Sequence, residues 1–184
     1  MPNQVKHTRD AMLDTARALV LDGGPAAASA RAVALALGAP SGSIYHRFPR
    51  RDDLVAAAWL RAQDRFLDAY LTAAQQSPTA GATRVLTWSA ENPADAALLL
   101  RHALPDLLRG EVSPTLATQA ATNNTRAETA VRTTAEALDL PLDDVVLALV
   151  DLPLAMTRRI LRTRTPTQTD VDTLTRAVDK LLTR

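Results

Sequence analysis

The sequence predicts an all-α fold, and three observations predict it. Apolar residues make up 47% of the 184, but aromatics only 3%, so Ala, Leu and Val must fill the core. Closely packed helices with alanine faces use that supply best. Strand-forming Tyr, Phe, Ile and Trp are scarce, and no Asn-Gly or Asp-Gly hairpin turn occurs. Prolines and glycines punctuate the chain into segments whose apolar residues recur at helical spacing.

Those segments define nine or ten helices in order. The first runs from about Thr8 to Leu21, with Met12, Leu13, Ala16, Leu19 and Val20 on one stripe, and Gly23-Gly24-Pro25 stops it. Ser29 caps a short helix through Leu37 whose inward face is expected to be Ala32, Val33 and Ala36. After Gly38-Ala39-Pro40 comes a second short helix, Ser41 to Arg47, ended by Phe48-Pro49. A long helix opens at Arg51 with Asp52 and Asp53 in its first turn, where negative charge suits the helix dipole, and runs to about Gln75. Further helices are expected near Ala80 to Ala90, Ala94 to Arg101, Leu104 to Leu108, Pro114 to Leu138, Leu142 to Arg162 and Asp170 to Leu182.

Composition also excludes several classes. The absence of cysteine removes disulfide frameworks and thiolate zinc sites. His7, His46 and His102 are scattered without metal-ligand spacing, and neither a nucleophile motif nor a phosphate loop occurs, so neither a metal, a cofactor nor an enzymatic activity is expected. The polar start, Met1 to Asp10, lacks a secretion signal, and the apolar run Val145 to Ala155 is short and broken by Asp151 and Pro153. A cytoplasmic protein with no membrane partner is the expectation.

Net charge is only +1, but between Asp22 and Asp52 there is no acidic residue, while Arg31, Arg47, Arg50 and Arg51 all fall there. Within that stretch, two short helices joined by a three-residue turn containing Gly describe a helix-turn-helix. Gly38 supplies the residue that tolerates positive φ. Ser41, Gly42 and Ser43 are small enough for close approach to base edges, Ile44 anchors inward, and Tyr45 and His46 carry hydrogen-bonding tips on the outer half. Phe48 is expected to pack back on the first helix of the pair.

The run from Val33-Ala34 through Leu37-Gly38-Ala39-Pro40-Ser41-Gly42-Ser43-Ile44-Tyr45-His46-Arg47-Phe48-Pro49-Arg50-Arg51-Asp52-Asp53-Leu54 resembles the signature of the tetracycline-repressor (TetR) family. About the first 55 residues carry the resemblance. It implies that Tyr45 holds a phosphate, that His46 faces phosphate or base, that Ser41, Gly42 and Ser43 lie nearest the bases, and that Ser29, with Arg31 close by, holds a second phosphate. Arg51 is the implied grip on another phosphate, with Arg50 beside it in the basic run. Pro40 departs from the Ser or Thr common in the family, and Arg51 from its common Lys.

The division expected is 1–50 as the helix-turn-helix domain and 51–184 as a helical body for ligand sensing and dimerisation. Val171, Leu174, Val178 and Leu181 recur at 3, 4 and 3, a coiled-coil-like seam, and Val146 and Leu149 extend it onto the preceding helix. The resemblance implies that these helices build a four-helix bundle with a second copy. A sensing site between helices is expected to draw on Phe66, Tyr70, Trp88, His102, Asn123 and Met156. The function implied is a ligand-responsive regulator of transcription, a homodimeric repressor released from double-stranded operator DNA by a small apolar effector. The alternative is an all-helical protein-interaction module without sequence-specific DNA binding.

Overall fold

A computed structural model describes residues 8–183; the polar start, His7 included, lies mostly outside the described residues. Among the described residues there are helices and no strand. In order these are α1 (Arg9–Gly23), a 3-10 turn (Pro25–Ala27), α2 (Ala30–Leu37), α3 (Ser41–Arg47), α4 (Arg51–Ala74), α5 (Pro78–Glu91), α6 (Pro93–Arg101), α7 (Leu104–Leu107) and α8 (Pro114–Leu138). They continue as α9 (Leu142–Val146), a π turn (Leu147–Asp151), α10 (Leu152–Leu161) and α11 (Gln168–Leu182). The described residues divide into two compact units, one within Met1–Gln63 and Ala97–Ala120, the other within Asp64–Ala96 and Ala121–Arg184.

In the first unit, side-chain caps start the helices where the sequence offers Thr or Ser. Thr8 Oγ1 accepts the Ala11 N–H at 3.1 Å, and Ser29 Oγ accepts that of Ala32 at 3.1 Å. Gly38 ends α2 in the left-handed region, φ 62° and ψ 32°, and its N–H closes onto the Ala34 and Leu35 carbonyls. Gly38→Ala is expected to lower stability by about 1 kcal/mol, because a Cβ is disfavoured at that φ. Thermal melting checks this, and an unchanged midpoint would count against a required left-handed cap. The inward face of α2 is Ala30, Val33 and Ala34, not the expected Ala32, Val33 and Ala36; Ala36 is exposed. Met12, Leu13 and Ala16 of α1 join Val33, Ile44, Phe48, Leu54 and Leu60 in one core, closed by Leu116. Arg61, on α4, donates to the Asp10 carboxylate at 2.9 Å and to that of Asp14, tying α1 to α4. Trp59 Nε1 donates to the His102 carbonyl at 2.9 Å.

The second unit packs α5 against α10 and α11. Its core gathers Leu86, Val131, Val145, Leu149, Ile160, Leu174 and Val178. The expected helix from Leu142 to Arg162 is one helical stretch interrupted by the π turn, with Pro153 just beyond it. The last helix begins at Gln168, two residues earlier than expected. A capping box explains this: Asp170 accepts the Thr167 N–H at 2.8 Å and also holds Arg164, at 2.5 and 2.7 Å.

The apolar seam expected at a dimer face lies largely in the unit's own core. Leu149, Leu174 and Val178 lie at 2%, 0% and 0% exposure inside the unit's own core. A 3-4-3 stripe buries itself against whatever apolar surface is nearest, and α11 finds that surface on α5 within the chain. Val146 and Val171 are partly buried against the same core, and Leu181 keeps 37% exposure.

Candidate nucleic-acid interface

The helix-turn-helix is built from α2, the Gly38-Ala39-Pro40 turn and α3. Pro40 takes the N-cap position with φ −61° and ψ 130°, so α3 starts at Ser41 with no side-chain cap. Proline fixes that φ and gives up an N–H that has no intrahelical partner at a helix start. Ile44 is fully buried and Phe48 nearly so, and these two pin α3 into the core of the first unit. The Arg9 guanidinium stands over the Phe48 ring, 6.0 Å from its centroid. With Ile44 turned inward, the outward face of α3 is set. Tyr45 is 52% exposed, and Ser41, Gly42, His46 and Arg47 are also exposed.

Most of the residues singled out in the sequence are exposed. Arg31 and Arg50 are exposed; Ser29 is half-buried at its cap. Ser43 is half-buried too, and its hydroxyl donates to the Pro40 carbonyl at 2.7 Å, leaving only lone pairs for a visitor.

Arg51 behaves differently. Its guanidinium donates to the Asp52 carboxylate at 2.6 Å, to the Leu107 carbonyl at 2.9 Å and to the Pro25 carbonyl. Its fork is thus engaged within the chain, tying the start of α4 to the 3-10 turn and to α7. The planar five-donor fork suits this better than an ammonium, which accounts for Arg at a position where Lys is common in the resembled family.

The clamp continues through two carboxylates whose partners sequence reasoning missed. Asp52 accepts the backbone N–H groups of Arg109 and Gly110 at 3.0 and 2.8 Å, and Asp53 accepts that of Ser113 at 2.7 Å. Burial alone raises the Asp52 pKa, but the Arg51 hydrogen bond and the two N–H groups outweigh it and hold the carboxyl below its ordinary value. Partners 57 to 60 residues away leave no signal in a local pattern.

The six residues expected to sense a ligand are only partly brought together. Phe66, Tyr70 and Trp88 form an aromatic cluster in the second unit, with ring centroids 6.0 Å apart for Phe66–Tyr70 and 5.3 Å for Phe66–Trp88. Burial pushes the Tyr70 phenol up to about 12. Asn123 is buried and donates to Asp64 at 2.6 Å, and Met156 lies in the core of the same unit. His102 belongs to the first unit, where its carbonyl receives Trp59. Two grooves open on the second unit. One of about 600 Å³ is lined by residues including Asp68, Thr72 and Arg84; the other, of about 280 Å³, is lined by Val131, Leu142, Val146 and Val150 among others. None of the six lines either groove. Among the described residues no group of three or more His, Cys, Asp or Glu could hold a metal ion, and no helix is long and apolar enough to cross a membrane.

Residues 12–58 match the family model of bacterial regulatory proteins, tetR family. No curated protein matches the sequence. Solved structures match along nearly the whole chain. A tetR family transcription regulator from Shewanella sp. PV-4 is 20% identical, covers 95% of each chain and superposes with a TM-score of 0.72. Another from Marinobacter aquaeolei VT8 is 17% identical over 94% of each chain, with a TM-score of 0.72. The fatty acid degradation regulator FadR from Bacillus halodurans is 15% identical over 95% of this chain and 97% of its own, with a TM-score of 0.64. At such identities the likeness is one of fold.

Proposed function

We propose that this chain, a tetR-family protein by its matched segment at residues 12–58 and by its fold, is a homodimeric repressor that leaves its operator when a small apolar molecule binds. The family match and the fold support a DNA-binding regulator; the sign of regulation and the effector are our reading. One observation carries it. The face of α3 opposite Ile44 presents Tyr45 and His46, with the small Ser41 and Gly42 one turn earlier, in a stretch free of acidic residues. Such a face enters a major groove without steric or electrostatic penalty.

In this reading residues 1–50 hold the DNA, with Tyr45 and Ser29 on phosphates and Arg31 and Arg50 adding charge. Residues 51–184 sense and dimerise. The second copy sits against the α9 to α11 stretch, where Leu147 and Leu181 remain exposed. Phe66, Tyr70 and Trp88 are the proposed apolar wall of the effector site, which would shift α4 and with it the spacing of two heads that must match half-sites about 34 Å apart. Release by ~100-fold requires only about 2.7 kcal/mol of differential binding. The place of action is the cytoplasm, where operator DNA is found, and no catalytic role is proposed.

Selection from a random duplex pool tests the reading. A palindromic sequence is expected to be enriched, and enrichment of nothing at low salt would favour a protein-interaction module. Tyr45→Phe should then weaken binding to the enriched duplex about tenfold, in the range of one hydrogen bond to a charged group, measured by fluorescence anisotropy. Because no cation is lost, the salt dependence should keep its slope. Unchanged affinity would remove Tyr45 from the phosphate contacts.

A further inference from the structure

We infer that the interface with DNA extends beyond the helix-turn-helix to residues 108–113, and that Arg109 grips a backbone phosphate there. This rests on the DNA-binding reading and adds a component whose Arg109 lies 57 residues beyond Asp52 in sequence.

A groove of about 420 Å³ on the first unit is lined by Ser29, Arg50, Arg51, Asp52, Arg109 and Glu111, beside Ala26. Two of its charges cancel within the groove wall, since Arg51 and Asp52 are paired at 2.6 Å and Asp52 is further occupied by two backbone N–H groups. What the groove offers a visitor is therefore Arg50 and Arg109, both exposed, against the single carboxylate of Glu111. Arg50 has one long contact, 3.5 Å from Nη1 to the Glu111 carbonyl. Among the described residues no hydrogen bond or ion pair engages the Arg109 guanidinium; only its backbone N–H is held, by Asp52. Ser29 Oγ accepts the Ala32 N–H at 3.1 Å and keeps its own proton to donate.

Two guanidinium forks and one hydroxyl donor lining the same groove suit a tetrahedral oxyanion. A phosphodiester of duplex DNA is the anion that the surroundings select. Ser29 caps the first helix of the helix-turn-helix, the helix that crosses the sugar-phosphate backbone when the second lies in the groove, and Arg50 follows the end of α3. The loop is also fixed in place. Asp52 and Asp53 hold Arg109, Gly110 and Ser113 by their N–H groups to the first turn of α4, so the Arg109 side chain projects from a clamped backbone.

The experiment measures binding of the full chain to the duplex enriched from the random pool and to a shuffled duplex, over a series of salt concentrations. Arg109→Ala is expected to weaken both about tenfold and to reduce the salt slope by about one, while Arg109→Lys keeps the slope. The backbone N–H that Asp52 needs survives in both variants, and circular dichroism verifies the fold. Unchanged affinity and slope in Arg109→Ala, with Tyr45→Phe still weakened, would overturn the inference and leave the DNA reading standing. Failure of the wild-type chain to bind any duplex would overturn both. Titration with inorganic phosphate separates the remaining source: tight, Arg109-dependent phosphate binding without any effect of Arg109→Ala on DNA would make this a site for free phosphate and also overturn the inference.

Discussion

Leu174→Asp is expected to unfold the second unit instead of releasing folded monomers. Leu174 has no exposed surface and sits among Val145, Leu149, Ile160 and Val178. A carboxylate there has no cation to pair with inside this apolar cluster, and burying an unpaired charge costs several kcal/mol even after relaxation. Against a typical total stability of about 5–15 kcal/mol, that is enough to lose the packed state. Loss of helical signal by circular dichroism and a broad, denaturant-like sedimentation profile are the expected readouts. Leu147→Asp supplies the contrast. Leu147 is 45% exposed in the single chain, so a charge there is solvated in the monomer and harmful only where a second copy covers it. It should leave helicity intact and shift sedimentation toward monomer. A folded, monomeric Leu174→Asp protein would show that the seam faces a partner after all.

Asp52→Ala is expected to destabilise the first unit by about 3 kcal/mol, since the change strands three donors at once: the Arg51 guanidinium and the Arg109 and Gly110 N–H groups. Asp52→Asn, which keeps one acceptor oxygen for the loop, should lose about 1 kcal/mol. The carboxyl titrates below its ordinary value in the folded chain. Its contribution is therefore complete above the unfolded value of about 4 and is lost as pH falls through the lowered folded value. Urea midpoints between pH 7 and pH 2.5 would reveal it: the wild-type chain should lose stability on the acid side more steeply than Asp52→Asn. Parallel pH profiles for the two would show that the ionised form is not what holds the loop.

Legibility in the sequence followed range. The helix-turn-helix could be read because its determinants are local: Ser29, Gly38, Ile44 and Phe48 act within twenty residues, through a cap, a left-handed turn and two anchors. Orientation within α2 was harder. In Ala-Arg-Ala-Val-Ala-Leu-Ala-Leu nearly every position is apolar, so periodicity does not choose between Ala32 and Ala34. The exposed Leu35, at 84%, shows how weakly side-chain polarity marks the outside there. The seam on α11 was legible as an apolar stripe but not as to which surface covers it, because α5 and a second copy would demand the same spacing. The engagement of Arg51 depends on carbonyls of Pro25 and Leu107, 26 and 56 residues away, whose direction only the fold decides. The π turn at Leu147–Asp151 falls in a run of Leu, Ala and Val that suits an α-helix equally well, with Pro153 the one nearby irregularity.

The composition of the first core has a consequence for how such chains exchange parts. Met12, Leu13, Val33 and Ile44 are covered by Leu54 and Leu60 from α4 and by Leu116 from α8. The helix-turn-helix segment is therefore not an interchangeable cassette. A crossover at residue 50 between two such chains would join a head to a foreign lid, with the buried faces of α1 to α3 meeting side chains they were not shaped to fit. A graft that respects the packing carries 1–63 together with 97–120, two stretches separated by 33 residues of the other unit. Recombination that preserves the fold must move both at once, so the outer face of α3 is more readily altered by point changes than by trading heads.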